Sequence, residues 1–243
     1  MRYLGGKGRI AKKLAHAILS HTSRRESYWE PFVGGGGMAS QMGQHFDIAY
    51  YSDIHKDLIL MWEAVLMEGW EPPSVVSYEQ YQELRYSKEP SAVRGFVGFG
   101  GSFGGRWFEG YARGGYNSDG SPRNHMAESS RAVIKGSKTM RARTATHVFQ
   151  ADALTITPTP GAVVYCDPPY GGTKNYSQVD QLDYRRFWET AEEWATLGAD
   201  VFVSEYSAPS GWTCIWEQSL RSNVRVGSSD RHTAVERLFI PHA

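Results

Sequence analysis

Residues 27–37 read Ser27-Tyr28-Trp29-Glu30-Pro31-Phe32-Val33-Gly34-Gly35-Gly36-Gly37. An aromatic and apolar run enters four consecutive glycines. The run predicts a strand over 27–33, and the glycines predict a tight loop leading into a short helix over 38–44. Downstream, Ile48 to Ser52 predicts a second strand that ends at Asp53. Lys56 to Glu68 then predicts a helix, with Leu58, Met61, Trp62 and Val65 at helical spacing and Gly69 as its stop. Upstream, Ile10, Leu14 and Ile18 share one face of a predicted helix over 10–19. Strands that alternate with helices predict an α/β fold with a mostly parallel sheet.

The same alternation resumes late in the chain. His147 to Gln150 and Ala162 to Cys166 predict strands, the latter apolar enough to be buried on both faces. Asp183 is placed to cap a helix that carries Tyr184, Phe187, Trp188, Ala191 and Trp194 and ends near Gly198. Val201 to Ser204 predicts another strand. Residues 224–240 predict an antiparallel hairpin. Between them, from Pro72-Pro73 to about Thr146, no clean periodicity survives. Nine glycines fall within residues 95–115 and seven aromatics within 96–116. Residues 70–145 are therefore expected to be an insertion. Phe103, Trp107 and Tyr111 are expected in its core.

Charge separates the two regions. The chain is neutral overall, with 26 basic and 26 acidic residues. Between Arg85 and Arg143 there are 11 basic and four acidic residues, a net of +7, which leaves −7 on the rest. A basic block in an otherwise acidic chain points to a polyanion-facing segment, or to a solvated loop region. With 41% apolar residues the chain is not disordered. No apolar run approaches the length of a membrane span, and the first residues lack the apolar stretch of a signal peptide, so no membrane partner is expected. Cys166 and Cys214 form no metal-type pair. A cytoplasmic, reducing location is expected, with no metal.

Three groups of residues carry chemistry. Asp167-Pro168-Pro169-Tyr170 directly follows an apolar strand. An exocyclic amine such as the 6-amino group of adenine is a poor nucleophile because its lone pair is delocalised into the ring. Two acceptors on its hydrogens favour the pyramidal, nucleophilic form. Asp167 offers one, and the Pro168 carbonyl, fixed by two successive prolines, offers the other. Tyr170 offers a ring for stacking. A proline-rich turn with an aromatic anchor is the plain alternative. Phe32, Gly34 and Gly36 lie where a cofactor can approach the backbone, although a tight turn alone needs the same glycines. Asp53 follows Gly36 by 17 residues and suits two ribose hydroxyls, or a helix cap. Asp152 is a third strand-end carboxylate, suited to an adenine ring or to starting a turn. Gly5-Gly6-Lys7, before the first helix, suits a carboxylate. A flexible basic terminus explains it as well.

The order Gly5-Gly6-Lys7, Glu30 to Gly36, Asp53 and Asp167 to Tyr170 resembles the DNA adenine methyltransferase (Dam-like) family, which depends on S-adenosylmethionine. The likeness covers residues 1–66 and 146–206, and more loosely Ser229 to Phe239 with Arg231, Glu236, Arg237 and Leu238. It implies a Rossmann-like methyltransferase fold. Residues 1–69 and 146–243 would bind the cofactor and carry catalysis. Residues 70–145 would form an inserted target-recognition region on double-stranded DNA.

By position, the resemblance implies a catalytic motif at Asp167, Pro168, Pro169 and Tyr170. It implies cofactor contacts from Tyr3, Lys7, Phe32, Gly34, Gly36, Asp53, Asp152 and Asp167. Arg106, Arg113, Arg123, Lys135, Lys138, Arg141 and Arg143 are candidates for phosphate contacts, and Arg123 or Asn124 for reading base edges. Tyr3 replaces the family's usual tryptophan. Ser204-Glu205-Tyr206 stands where serine-asparagine is common. The insertion resembles phage-encoded members more than bacterial housekeeping ones. Cytosine N4 or an adenine of RNA would need similar chemistry. An idle DNA-binding or anti-restriction protein of this fold would not be expected to keep the tetrapeptide. A nicotinamide dehydrogenase is disfavoured, because Ala39-Ser40 does not complete its glycine fingerprint.

Overall fold

Four apolar residues in a row, Val163–Cys166, make strand β4, and the chain buries it on both faces. Val163 and Tyr165 face one core, Val164 and Cys166 the other, as the two-residue period of a strand requires. In this computed structural model, which describes residues 1–170, 182–221 and 233–242, β4 is the middle of a seven-stranded sheet. The other strands are β1 (Ser27–Glu30), β2 (Ile48–Asp53), β3 (Ala145–Gln150), β5 (Asp200–Glu205), β6 (Trp212–Arg221) and β7 (Thr233–Pro241). Their order is β3-β2-β1-β4-β5-β7-β6. Strands β1 to β5 run parallel, and β7 is antiparallel to both β5 and β6. This is the α/β, mostly parallel sheet read from the sequence.

The strand order reverses direction between β1 and β4. In an open α/β sheet, the crevice beyond the carboxyl ends of two such strands is where ligands bind. Glu30 ends β1, Asp53 ends β2, and Asp167 follows β4. Three carboxylates thus stand at the carboxyl ends of three neighbouring strands.

Helices α1 (Ala11–His21), α2 (Ala39–Met42), α3 (Lys56–Glu63) and α7 (Tyr184–Thr196) match the sequence reading closely. Asp183 caps α7 by accepting from the Arg186 amide. The expected helix over 56–68 is α only to Glu63 and closes through a π turn to Glu68. The terminal hairpin is formed by β6 and β7, so its first strand begins at Trp212 rather than near 224. Residues 222–232, including Ser229 and Arg231, lie outside the described residues.

Residues 70–145 differ most from expectation. They contain three helices: α4 (Tyr78–Tyr86), α5 (Ala92–Gly100) and α6 (His125–Met140). A Ser77–Gln80 capping box starts α4. The glycines of α5 misled the sequence reading because they serve packing rather than turning. A Cβ at Gly95 would lie 2.0 Å from the Asp57 carbonyl oxygen, so only glycine lets α5 press against α3. Phe96, Phe99, Trp107, Val133 and Met140 then share one core with Leu14, Tyr28, Trp62 and Val163. Trp107 is buried as expected and Tyr111 half-buried, but Phe103 is 74% exposed, which corrects its expected place in the core.

Candidate active site

The glycine loop is shaped by contacts that no larger residue would allow. Gly34 and Gly36 have φ of +47° and +71°, values open to glycine at little cost. A Cβ at Gly36 would lie 2.6 Å from the Trp62 ring. The Trp62 indole donates to the Gly34 carbonyl at 2.9 Å. On the opposite side, the Gly34 amide donates to one Asp53 carboxylate oxygen at 3.0 Å, and the His55 amide donates to the other at 3.0 Å. Burial pushes the Asp53 carboxyl up to about 6, against the pull of these amides. Asp53 therefore ties the loop after β1 to the start of α3. Phe32 stands edge-on to Phe187 across 5.7 Å.

The amino-terminal segment folds over this loop. The Tyr3 ring lies so close that a Cβ at Gly34 or Gly35 would meet it at 2.9 or 2.6 Å. The Leu4 amide donates to the Gly105 carbonyl at 3.0 Å, so residues 101–105 brace the segment from behind. Lys7 then extends across the sheet edge. Its Nζ lies 2.6 Å from Asp167 Oδ1, 3.2 Å from Glu236 Oε1 and 4.5 Å from the centre of the Tyr170 ring.

Asp167, Tyr170, Lys7 and Glu236 form one charged cluster. The Tyr170 hydroxyl donates to Glu236, and the Tyr170 ring stands edge-on to Tyr206. Pro168 is buried and Pro169 exposed. Burial pushes the Asp167 carboxyl up, and the Lys7 ammonium opposes it. Burial alone would lower Lys7, yet the two carboxylates more than offset this and hold it raised. Glu30, buried at the end of β1, accepts from the Tyr28 hydroxyl at 2.7 Å. Burial, helped by the Asp167 charge, drives the Glu30 carboxyl well above its ordinary value.

Sequence reasoning missed two carboxylates at this end of the sheet, Glu236 in the cluster and Glu30 beside it. Glu30 lay inside the quoted strand-loop stretch with no role assigned. Glu236 lay 69 residues after Asp167 in a loosely matched strand. The only available signal was an acid, followed by Arg237, in the mostly apolar stretch Val235 to Ile240. Asp152 is exposed and caps the following turn by accepting from the Leu154 amide at 2.9 Å.

The predicted DNA-facing residues are scattered in their local duties. Arg123 forms a two-pronged ion pair with Glu128 at 2.6 and 2.9 Å, and Arg2 reaches the same carboxylate at 3.4 Å. Arg106 pairs with Glu109 and Arg143 with Asp47. Arg141 donates to the Leu66 carbonyl at 3.0 Å. Asn124 caps α6 by accepting from Ala127 and donating to Ser74. Arg113, Lys135 and Lys138 are exposed. Among the described residues, no cluster of His, Cys, Asp or Glu is arranged to hold a metal ion, and no helix is long and apolar enough to cross a membrane.

Residues 3–90 and 117–209 match the family model of the D12 class N6 adenine-specific DNA methyltransferases. The chain belongs to that family. No curated protein matches. Solved structures similar to this methyltransferase include the rRNA methyltransferase AviRa of Streptomyces viridochromogenes, at 13% identity and a TM-score of 0.40, covering 94% of this chain and 84% of that one. The putative methyltransferase YhhF of Escherichia coli is 14% identical with a TM-score of 0.42, covering 100% and 90%. The putative methyltransferase SMU.472, complexed with SAH, is 11% identical with a TM-score of 0.36, covering 97% and 53%.

The enzyme is S-adenosylmethionine-dependent, as its family membership establishes, and its residues fit that group. The cofactor carries a sulfonium and an ammonium, and this sheet edge already attracts a cation, since the Lys7 ammonium rests between Asp167 and Glu236. The Gly34, His55 and Ile54 amides take up to three of the roughly four acceptor positions of Asp53, which leaves one for a hydroxyl.

Proposed function

We propose that this methyltransferase modifies the exocyclic N6 amine of an adenine in double-stranded DNA, at a specific site, after the base has left the helix. One observation carries the reading. Asp167 sits at the strand-order reversal, followed by Pro168 and by a Tyr170 ring that is fixed at its hydroxyl and its edge. Adenine's amine needs two acceptors for its hydrogens and a ring to lie on, roles that this reading gives to Asp167, the Pro168 carbonyl and Tyr170, with the Lys7 ammonium, 4.5 Å from the Tyr170 ring centre, moving aside for the base.

In this reading Asp167 and the Pro168 carbonyl accept the two amine hydrogens, and Tyr170 stacks on the extruded base. Flipping costs a few kcal/mol, which stacking and edge contacts repay. When bound, S-adenosylmethionine supplies an electrophilic methyl group. Phe32, Gly34, Gly36, Tyr3 and Lys7 would hold the cofactor, Asp53 would accept its ribose hydroxyls, and Asp152 would contact its adenine. The protein's contribution is positioning and charge rather than a covalent bond. The amine becomes acidic as it is alkylated, so its proton leaves late, with Asp167 beside it to receive it.

Residues 70–145 would serve target recognition. Arg113, Lys135 and Lys138 would contact phosphates directly. Arg106, Arg123 and Arg143 would first have to exchange their carboxylate partners for the backbone of DNA. The exposed Phe103 adds a flat apolar surface beside the segment that covers the glycine loop.

The test uses tritiated S-adenosylmethionine with unmethylated DNA and with RNA, followed by digestion to nucleosides. Label in N6-methyl-2′-deoxyadenosine from DNA supports the reading. Label in N4-methylcytosine, or only in RNA, overturns it. Asp167→Ala should abolish transfer and leave most of the DNA affinity, and persistent turnover in that variant would show the assignment of Asp167 to be wrong. Methylome sequencing of cells that express the enzyme would supply the sequence context.

A further inference from the structure

Glu236 belongs to no motif that the sequence reading assigned to the reaction, yet it touches two residues that flank the catalytic carboxylate. It is 5% exposed, on the reversed strand β7. It accepts the Tyr170 hydroxyl, and it holds the Lys7 ammonium at 3.2 Å while Asp167 holds the same ammonium at 2.6 Å. One cation is therefore shared by two carboxylates, of which only Asp167 can also serve the target amine.

We propose that Glu236 is a positioning residue for methyl transfer, a second seat for the Lys7 ammonium that frees Asp167 to accept the amine hydrogens while the Tyr170 ring stays fixed. The proposal rests on the reading of Asp167 given above. If Lys7 had only Asp167, an incoming amine would compete with a 2.6 Å buried ion pair. Breaking such a pair leaves an uncompensated charge, which is costly. With Glu236 alongside, the ammonium keeps a partner throughout.

The groups that face this carboxylate are Lys7 from the amino-terminal segment, Tyr165 on β4, Asp167 and Tyr170 after β4, and Tyr206 after β5, with Glu30 facing Asp167 from β1. The negative charge of Glu236 pushes the Asp167 carboxyl up, and its removal lets that carboxyl fall.

Two substitutions separate the contacts. Glu236→Gln keeps an oxygen to accept the Tyr170 hydroxyl and removes the charge. Tyr170→Phe keeps the ring and removes the hydroxyl. With unmethylated genomic DNA as substrate, Glu236→Gln should lower kcat about tenfold or more and change DNA affinity little. It should also move the acid limb of the kcat/KM profile to lower pH. Tyr170→Phe should lower kcat and move that limb the other way, to higher pH, because the Tyr170 hydroxyl helps to hold the Asp167 carboxyl down, and Glu236→Asp should recover part of the loss. In a Lys7→Met background the Glu236→Gln substitution should cost less than about twofold, because the shared cation is gone.

An unchanged kcat and pH profile in Glu236→Gln overturns the proposal, as does an equal loss in both backgrounds. Should Glu236→Gln fail to fold, Glu236→Asp, whose shorter side chain draws the carboxylate back from the 3.2 Å contact with Lys7, carries the test: a kcat unchanged from wild type overturns the proposal. If the wild-type enzyme leaves DNA adenine unmodified, the reading of Asp167 falls. An NMR titration of Lys7 Nζ then decides on Glu236 by itself. A lower midpoint in Glu236→Gln supports the shared seat, and an unchanged one overturns it.

Discussion

The Lys7 ammonium and the Asp167 carboxylate lie 2.6 Å apart although 160 residues separate them in the chain. The first folds down from the amino terminus across the glycine loop, and the second stands at the end of β4. Their contact closes the site around the sheet edge, and both side chains are largely removed from water, at 6% and 19% exposure. Lys7→Met should therefore destabilise the fold by about 3 kcal/mol, the low end for breaking a buried pair from one side. The same variant should shift the acid limb of activity to higher pH, since Lys7 opposes the rise of the Asp167 carboxyl. Urea unfolding and a kcat/KM profile measure the two effects. A variant as stable as the wild type would contradict the buried pair.

If Asp53 accepts the ribose hydroxyls as proposed, it links pH to cofactor binding. Its carboxyl is pushed up to about 6 from an ordinary value of 3.8. The folded state therefore holds this proton more tightly than the unfolded chain. The Asp53 contribution to stability is full below the ordinary value and is lost as pH rises through about 6. Ribose hydroxyls need the ionised form, so cofactor affinity should move the other way and tighten between pH 5 and pH 7. Calorimetric titration with S-adenosylhomocysteine across that range should show a falling Kd. A flat Kd would remove Asp53 from the ribose.

Gly95 tests the reason that α5 escaped the sequence reading. Gly95→Ala must push a methyl into the Asp57 carbonyl, 2.0 Å from the ideal Cβ. The helix would have to move, at a cost of about 1–3 kcal/mol. Alanine favours helix by about 1 kcal/mol over glycine at an exposed position, so a measured stabilisation would refute close packing at this site.

Phe103 and Trp107 should part company under substitution. Phe103→Ala should change stability by less than about 0.5 kcal/mol, because the side chain is mostly in water. Trp107→Ala should cost about 3–5 kcal/mol. It would vacate the space against Phe99, Phe108 and His55. Thermal unfolding of both variants measures the difference, and an equal loss in the two would contradict the exposed placement of Phe103.

Salt dependence tests the basic face. If Arg113, Lys135 and Lys138 contact phosphates, each substitution by Ala should weaken DNA binding on all sequences and reduce the slope of log K against log salt by about 1. Glu128→Gln should act oppositely and strengthen binding at low salt, because it releases Arg123 and Arg2. Fluorescence anisotropy across a salt series measures all four variants. Slopes unchanged from wild type would show that DNA binds elsewhere.

Local sequence was enough to determine the five parallel strands β1 to β5, the glycine loop, the strand-end Asp53 and the Asp167 to Tyr170 motif. Each is written in residues that are close neighbours in the chain. Periodicity, capping residues and consecutive prolines act over a few positions, so they can be read without knowing what lies across the fold. Tertiary structure decided the rest. Residues 92–100 are helical because Gly95 lets α5 close on Asp57, a contact that no local pattern announces. Glu236 joins Lys7 and Tyr170 only because β7 runs backward beside β5. The charges of the basic region likewise could be counted in sequence, but which arginines are already paired depended on where Glu128, Glu109 and Asp47 came to rest. Electrostatic pairing and close packing depend on distance in space, and a linear chain carries that information only once it has folded.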